Sequence, residues 1–243
     1  MKTILITGCS SGFGLDTARY FLERDWKVIA TMRTPREDLL PQSPHLRILP
    51  LEVTDAASIA RLMEAAGAVD VLVNNAGIGM LGALEGCSMA NAREVFETNT
   101  LGTIAMTQAV LPQFRLRRDG VVINVTSSVT LKALPLLSVY TASKAAVNAF
   151  TESLALELQQ FNVRAHLVLP GRAPATSFGA NAQQRIQMHE AYAELVQSVF
   201  AGWQQSTDPV TQAVDVAEAI WRAATDPAAP LRIAAGADAV ALM

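Results

Sequence analysis

The chain has few of the residues that build disulfide frameworks and metal sites. Only two cysteines, Cys9 and Cys87, occur among its 243 residues, and its three histidines, His45, His166 and His189, lie far apart. Two cysteines cannot form a disulfide framework or a cysteine-based zinc site, and the histidines show no ligand spacing. We therefore expect a protein that folds around an ordinary hydrophobic core without a metal.

Long runs of basic or of apolar residues are missing as well. The formal net charge is −3 and no block of basic residues occurs, which argues against a nucleic-acid partner. The longest apolar runs fall well short of the about 18 residues that span a bilayer. The apolar run near the N-terminus is too short for a signal peptide. These absences predict a cytoplasmic protein without a membrane partner.

What the chain does have is a hydrophobic content of 51% and a regular alternation of strand and helix patterns. Strands are predicted at residues 2–7, 26–31, 46–51, 69–73, 120–125, 163–169 and 230–235. Helices are predicted at residues 15–24, 56–66, 88–117, 138–160 and 213–224. Such alternation is typical of an α/β fold, a Rossmann-type doubly wound parallel sheet flanked by helices. We expect residues 1–243 to form one domain, with ligands at the carboxyl ends of the strands.

A glycine-rich turn follows the first strand, running from Gly8 through Gly12 to Gly14. A strand, a glycine turn and a helix N-terminus together form an anion site of backbone N–H groups. The spacing is G-x-x-x-G-x-G, which differs from the common G-x-G-x-x-G dinucleotide pattern. A glycine turn that binds nothing is the alternative.

The second strand ends in Met32 and Arg33, with Arg36 close behind. A carboxylate at this place would hold the adenosine ribose of NAD, whereas a guanidinium suits a 2′-phosphate. The pattern therefore favours NADP over NAD. The alternative is that Arg33 is a solvated loop charge.

The stretch beginning at Ser138 places Tyr140 and Lys144 four residues apart on one helix face. A nearby ammonium favours the phenolate, so a tyrosine that exchanges protons is chemically reasonable. Taken alone, such a pair is more often an amphipathic helix edge beside a solvated charge. A break at Asn99 and Gly102 inside the preceding helical stretch also requires an explanation.

In this order the motifs resemble those of the short-chain dehydrogenase/reductase family over nearly the full length. Residues 7–14 match its TGxxxGxG turn and residues 74–77 its NNAG signature, while Ser127 precedes the YxxxK tyrosine by 13 residues. The resemblance implies an oxidoreductase that moves a hydride between NADP(H) and a carbonyl or secondary alcohol. By it, the catalytic residues are Asn99, Ser127, Tyr140 and Lys144. The cofactor-binding residues are Gly8, Ser10, Ser11, Gly12, Phe13, Gly14, Arg33, Glu52, Val53, Asn75, Ala76, Gly77, Tyr140, Lys144, Pro170 and Gly171.

The resemblance also implies a role for each catalytic residue. Tyr140 is the general acid and Ser127 holds the carbonyl oxygen. Lys144 binds the nicotinamide ribose and lowers the pKa of Tyr140. Asn99 holds a water that joins Lys144 to solvent, which gives the helix break a reason.

Three positions depart from the family pattern. Glu52 stands where the family usually has aspartate, and Thr130 stands where glycine is frequent. Thr176 follows Gly171 by five residues, whereas the family threonine follows by four. The segment after Gly171 is therefore expected to take its own route.

Residues 172–212 are expected to close over the substrate as a lid. Their apolar side chains, together with a second wall at residues 79–84, suggest a hydrophobic ketone, aldehyde or alcohol. The alternative is that Phe178, Tyr192, Phe200 and Trp203 only pack the lid onto the body.

Two other functions stay open at this point. A non-catalytic NADP(H)-sensing protein would keep the glycines but would not need Ser127, Tyr140 and Lys144 together. A sugar-nucleotide epimerase or dehydratase would carry a longer region after Pro170. Family resemblance further suggests a homodimer or homotetramer.

Overall fold

Seven parallel strands form one sheet among the residues that the structure describes. The structure, a computed structural model, describes residues 1–176, 179, 182 and 189–243. The strands are β1 (Thr3–Ile6), β2 (Lys27–Met32), β3 (Leu46–Pro50), β4 (Val71–Asn74), β5 (Gly120–Val125), β6 (Val163–Pro170) and β7 (Arg232–Ala235). Their order is β3-β2-β1-β4-β5-β6-β7, and every neighbouring pair is parallel. The strand order therefore reverses between β1 and β4, where such folds bind ligands.

Helices cover both faces of this sheet. Those described are α1 (Gly12–Leu22), α2 (Ala56–Ala66), α3 (Met89–Phe96), α4 (Gly102–Arg117), α5 (Ser138–Leu158), α6 (Ala193–Gln205), α7 (Ala213–Thr225) and α8 (Ala237–Val240). Because side chains alternate along a strand, Ile4 and Ile6 pack with α1 and α7, while Leu5 packs with α2, α4 and α5. The predicted Rossmann-type fold is confirmed.

Local signals set most helix boundaries, and one predicted boundary was wrong. The side chain of Asp55, directly before the predicted helix 56–66, caps α2 by accepting the Ala57 N–H at 2.9 Å. Helix α1 begins at Gly12 instead of residue 15, because the glycines themselves form its first turn. The break expected at Asn99 and Gly102 is confirmed: a π-helical turn, Glu97–Leu101, separates α3 from α4. No helix among the described residues is both long and apolar enough to cross a bilayer.

Two polar side chains on β6 support the end of α7. The guanidinium of Arg164 donates to the carbonyl oxygens of Ala223 at 2.9 Å and Asp226 at 3.0 Å. His166 is buried, with Nδ1 2.9 Å from the Pro230 carbonyl oxygen and Nε2 3.2 Å from Arg164. Both contacts are satisfied by a neutral imidazole whose proton is on Nδ1. Burial, the main cause, lowers the pKa of His166 below its ordinary value of 6.5.

This lowered pKa makes the stability of the fold depend on pH. Below about pH 6.5 the unfolded chain binds a proton at His166 more readily than the folded chain does, so the free energy of unfolding falls as the pH is lowered. We expect His166→Asn, which keeps a donor for Pro230, to reduce this pH dependence between pH 7.5 and 5.5 in urea unfolding. His45→Gln, in the loop before β3, is the control and should leave the slope unchanged. An unaltered slope in His166→Asn would contradict the assignment.

Candidate active site

The predicted site residues lie along one edge of the sheet. Each group follows the carboxyl end of a strand: the glycine turn follows β1, Arg33 follows β2, residues 75–77 follow β4, Ser127 follows β5 and Gly171 follows β6. Parallel strands bring these ends to the same edge. Tyr140 and Lys144 reach the same edge from α5. The structure therefore brings together residues that are up to 163 positions apart in the chain (from Gly8 to Gly171).

The glycine turn has the shape of an anion cradle. Gly8 and Gly12 have positive φ values of 75° and 57°, which glycine adopts without strain. A Cβ on Gly14 would lie 2.4 Å from the Gly8 carbonyl oxygen and 2.5 Å from Nδ2 of Asn75. The Ser11 side chain makes no cap hydrogen bond at the start of α1. The first N–H groups of that helix are therefore left for a ligand.

Thr7 and Asn75 fasten this turn to the loop after β4. The backbone N–H groups of Asn75 and Ala76 both donate to Oγ1 of Thr7, at 3.0 and 2.9 Å. The Asn75 amide donates to the carbonyl oxygens of Thr7 and Gly8, at 2.9 and 3.1 Å. The side chain of Asn75 thus holds the cradle in place.

At the adenosine end, the two arginines differ. Arg36 is paired with Asp38 in two contacts of 3.2 and 2.6 Å. Arg33 is exposed and has no hydrogen-bond or ion-pair partner within residues 1–176, 179, 182 and 189–243. The carboxylate of Glu52 accepts from the Thr54 N–H and hydroxyl, at 3.2 and 3.0 Å. Arg33 is therefore the arginine available to an anionic ligand here.

The side chains of Ser127 and Tyr140 are neighbours at this edge of the sheet, close enough for Ser127 to act on the Tyr140 hydroxyl. Both residues are more than nine-tenths buried. The Val129 N–H donates to Oγ of Ser127 at 3.3 Å, which orients the serine side chain. A proton donor and a second hydroxyl therefore stand side by side, as the chemistry of a carbonyl oxygen requires.

Burial reverses the predicted direction of the Tyr140 pKa. The expectation was a pKa lowered by Lys144. Instead, burial raises the pKa of Tyr140 above its ordinary value of 10.0, and the hydrogen bond with Ser127 only partly opposes this. The reason is that a phenolate loses its hydration in this environment. Burial also lowers the pKa of Lys144 to about 8.

Lys144, Asn99 and Gly77 lie close together at the same edge of the sheet. Nζ of Lys144 donates to the Val125 carbonyl oxygen at 3.0 Å. A Cβ on Gly77 would lie 3.3 Å from Nζ of Lys144 and 3.2 Å from Oδ1 of Asn99. Glycine at position 77 therefore lets the backbone approach the ammonium group closely.

Asn99 explains the helix break. It is buried within the π-helical turn, a feature frequent at functional sites. Its amide accepts the Ile78 N–H at 2.8 Å and donates to the Ile78 carbonyl at 3.0 Å and to Ser143 at 3.1 Å. The side chain thus joins the loop after β4 to α5. The Asn99 carbonyl oxygen accepts the Thr103 hydroxyl at 2.9 Å; its predicted bond to a water stays a prediction.

Comparison with known proteins agrees with this arrangement. Residues 2–187 match the model of the family described as short chain dehydrogenase. The chain belongs to the short-chain dehydrogenase family. It is 35% identical over 242 residues to the uncharacterized oxidoreductase YusZ of Bacillus subtilis, a match that covers 92% of this chain and 85% of that protein.

Two further proteins are similar to this member of the family. It is 41% identical over 184 residues to retinol dehydrogenase 8 of Bos taurus, covering 70% of this chain and 58% of that protein. The chain thus spans less than two thirds of the length of that relative. The solved structure of a serine dehydrogenase in its closed form with NADP+ superimposes with a TM-score of 0.82 at 29% identity, covering 96% of this chain and 94% of that one.

Thr130 and Asn148 support Ser127, a role that the sequence did not reveal. The Thr130 hydroxyl donates to the Ser127 carbonyl oxygen at 2.8 Å and accepts from the Asn148 amide at 2.9 Å. Glycine is frequent at this position in the short-chain dehydrogenase family, and threonine adds a hydroxyl there. This hydroxyl links the Ser127 loop to α5. The replaced glycine was the one signal that could have drawn attention to it.

Thr176 reaches the cradle despite its longer spacing. A Cβ on Gly12 would lie 3.5 Å from Cβ of Thr176. The Thr176 hydroxyl donates to the Ala173 carbonyl at 2.9 Å, which closes a turn. The extra residue in this short-chain dehydrogenase is thus absorbed within residues 173–176.

Helix α6, which lies in the predicted lid, packs on the loops that contain Leu81 and Leu136. Leu81, Ala83, Leu136 and Val196 form a buried cluster, and the partly buried side chains against it are Leu137, Tyr192, Val199, Phe200 and Trp203. Of the predicted lid residues, Phe178 and Met188 lie outside the described residues. The predicted second wall at residues 79–84 therefore contacts the predicted lid.

The close approach at Gly14 yields a prediction. Gly14→Ala would drive a Cβ into the Gly8 carbonyl, and we expect it to lower the free energy of unfolding by about 1–3 kcal/mol. Gly202→Ala in α6 is the matched control: nothing lies within 4 Å of its Cβ position, and alanine should stabilise that helix by about 1 kcal/mol. Urea unfolding measures both. Equal stabilities would show that the cradle is looser than described.

Proposed function

We propose that the protein is an NADP(H)-dependent oxidoreductase that moves a hydride between the nicotinamide and an apolar carbonyl or secondary alcohol. The observation that carries this proposal is that buried Ser127, Tyr140 and Lys144 lie at the same sheet edge as the glycine cradle. A protein that only senses NADP(H) needs the cradle but not these three residues together.

The residues present fit a dinucleotide. The cradle and the start of α1 provide backbone N–H groups for the pyrophosphate, and the absence of a side chain on Gly8, Gly12 and Gly14 leaves its backbone accessible. The ribose and nicotinamide would lie between residues 75–77 and the Pro170-Gly171 turn, with Lys144 within reach of the ribose. Glu52 and Val53 would border the adenine. Ser10, Ser11 and Phe13 complete the cradle.

NADP(H) is favoured over NAD(H) by the contrast between the two arginines. Asp38 pairs with Arg36, whereas Arg33 pairs with none of the residues that the structure describes and can bind a 2′-phosphate. A guanidinium binds phosphate through charge-assisted hydrogen bonds. The similar serine dehydrogenase whose structure contains NADP+ supports this choice.

The proton chemistry favours reduction of a carbonyl. The hydride for the carbonyl carbon would come from NADPH held by the glycine cradle. As negative charge develops on the carbonyl oxygen, Ser127 donates a hydrogen bond to it, and the Tyr140 O–H bond breaks to deliver its proton. Tyr140 is protonated at neutral pH, as the proton donor to a carbonyl oxygen must be. The Lys144 ammonium then stabilises the phenolate, and Asn99 would hold the water through which the proton is replaced.

An apolar substrate is supported by the surroundings of the hydroxyl pair. The cluster of Leu81, Ala83, Leu136 and Val196 includes a residue of the segment between Ser127 and Tyr140, and Tyr192, Val199, Phe200 and Trp203 are only partly buried against it. Partly buried apolar side chains on an inward face can contact an apolar ligand. The similarity to retinol dehydrogenase 8 agrees with such a ligand. The cytoplasmic location and the homo-oligomeric state stay predictions.

Removing the proposed acid tests the reaction. Tyr140→Phe deletes the transferred proton, so we expect turnover of hydrophobic ketones, followed at 340 nm, to fall by about 100-fold or more. NADPH affinity, measured by fluorescence, should change only a few-fold. Tyr20→Phe, in α1, is the control and should keep full activity. Surviving turnover in Tyr140→Phe would exclude Tyr140 as the acid.

Exchanging the free arginine tests the cofactor. Arg33→Asp places a carboxylate where the 2′-phosphate would bind, so we expect the NADPH/NADH ratio of kcat/KM to fall by about 100-fold. Arg36→Ala is the control, because its partner is already Asp38, and should shift the ratio less than about threefold. The argument fails if the two variants behave alike.

A further inference from the structure

Hydrogen bonds attach the C-terminal part of the chain to the turn after β6. The Gly171 N–H donates to Oγ1 of Thr211 at 2.9 Å, and the Arg172 N–H donates to the Asp238 carboxylate at 2.6 Å. The Thr211 N–H donates in turn to the Arg172 carbonyl at 2.8 Å. Thr211 is 2% exposed, and its Oγ1 lies 2.7 Å from Asp238. We call Thr211 and Asp238 the clamp.

Two glycines show how closely the clamp fits. A Cβ on Gly171 would lie 2.1 Å from the Asp238 carboxylate, and one on Gly236 would lie 2.2 Å from Oγ1 of Thr211. Gly236 also has a positive φ of 92°, which aims α8 and its Asp238 at the turn. Neither the turn nor the clamp could shift far without breaking these contacts.

The same turn is attached to the lid helix. The Arg172 guanidinium donates to the Trp203 carbonyl oxygen at 3.1 Å and reaches the Ser206 hydroxyl at 3.5 Å. These groups lie at the C-terminal end of α6, where a cation is favourable. Thus one dipeptide, Gly171-Arg172, is held by the clamp through its backbone and holds the lid helix through its side chain.

We propose that Thr211 and Asp238 are positioning residues: they hold the Pro170-Gly171 turn against the nicotinamide end of the cofactor and couple cofactor binding to α6. The proposal rests on the proposed function for its ligand, NADP(H). Both residues lie beyond residues 2–187, which match the family. The competing view is that the clamp only anchors the C-terminus. That view predicts lower stability with no effect on how a bound nicotinamide is held.

Calorimetry with two ligands separates these views. The probes are NADPH and 2′-phospho-ADP-ribose, which keeps the phosphates but lacks the nicotinamide. In Asp238→Ala and Thr211→Val we expect the Kd of NADPH to rise by about tenfold, while that of 2′-phospho-ADP-ribose changes less than about twofold. Glu218→Ala, an exposed carboxylate on α7, is the control and should change neither Kd.

Conservative variants keep the proposal testable if Asp238→Ala or Thr211→Val fails to fold. Asp238→Asn keeps an oxygen for the Arg172 N–H but not the carboxylate facing Thr211, so an intermediate rise in the NADPH Kd is expected. Thr211→Ser keeps the hydroxyl and should bind NADPH normally. The positioning role would be overturned if the Kd values of both ligands rose equally in the clamp variants. It would also be overturned if folded Asp238→Ala bound NADPH with an unchanged Kd.

Hydrogen–deuterium exchange tests the coupling to the lid. Addition of NADPH should slow amide exchange in residues 193–205 of the wild-type chain but not in Asp238→Ala at saturating NADPH. Equal slowing in both would remove the coupling. If the wild-type chain binds no NADPH, the proposed function fails with the clamp. If the wild-type chain binds NADPH and Tyr140→Phe abolishes turnover, normal NADPH binding by Asp238→Ala overturns the proposal about the clamp and leaves the proposed function standing.

Discussion

The hydrogen bonds between Thr7 and Asn75 are the contact on which the rest of the site depends. They join the turn after β1 to the loop after β4, at the place where the strand order reverses. A Cβ on Gly8 would lie 2.8 Å from Cα of Ala76, so the two backbones touch. With these two segments fixed, the glycine cradle, Gly77 and the ammonium group of Lys144 beneath it acquire set positions relative to one another.

Burial governs the chemistry that this frame can perform. A helix pair of tyrosine and lysine suggests a lowered phenol pKa, as it would on a hydrated surface. In the structure both residues are buried, and the loss of hydration raises the pKa of Tyr140 while it lowers that of Lys144. Both shifts favour the uncharged form of the side chain, because a buried charge loses its hydration. Tyr140 is thereby kept as a proton donor, which fits the proposed direction of reaction better than a preformed phenolate would.

Contacts outside the motifs complete the site. Thr130 and Asn148 hold the Ser127 loop, Ser143 holds Asn99, and the clamp of Thr211 and Asp238 holds the turn after β6. These side chains do not contact the reacting atoms directly in the proposed mechanism. They determine whether the residues that do so are kept within the narrow geometry that proton and hydride transfer require.

The sequence by itself determined the fold and the motif residues. Alternating strands and helices allow few topologies, and glycines at Gly8, Gly12 and Gly14 mark a backbone that other residues would strain. Only the tertiary structure decided the sign of the Tyr140 pKa, the pairing of Arg36 with Asp38, and the partners of Thr130 and Asp238. Those properties depend on burial and on hydrogen bonds between distant segments. The Arg172–Asp238 contact, for example, joins residues 66 positions apart. No local spacing encodes such contacts.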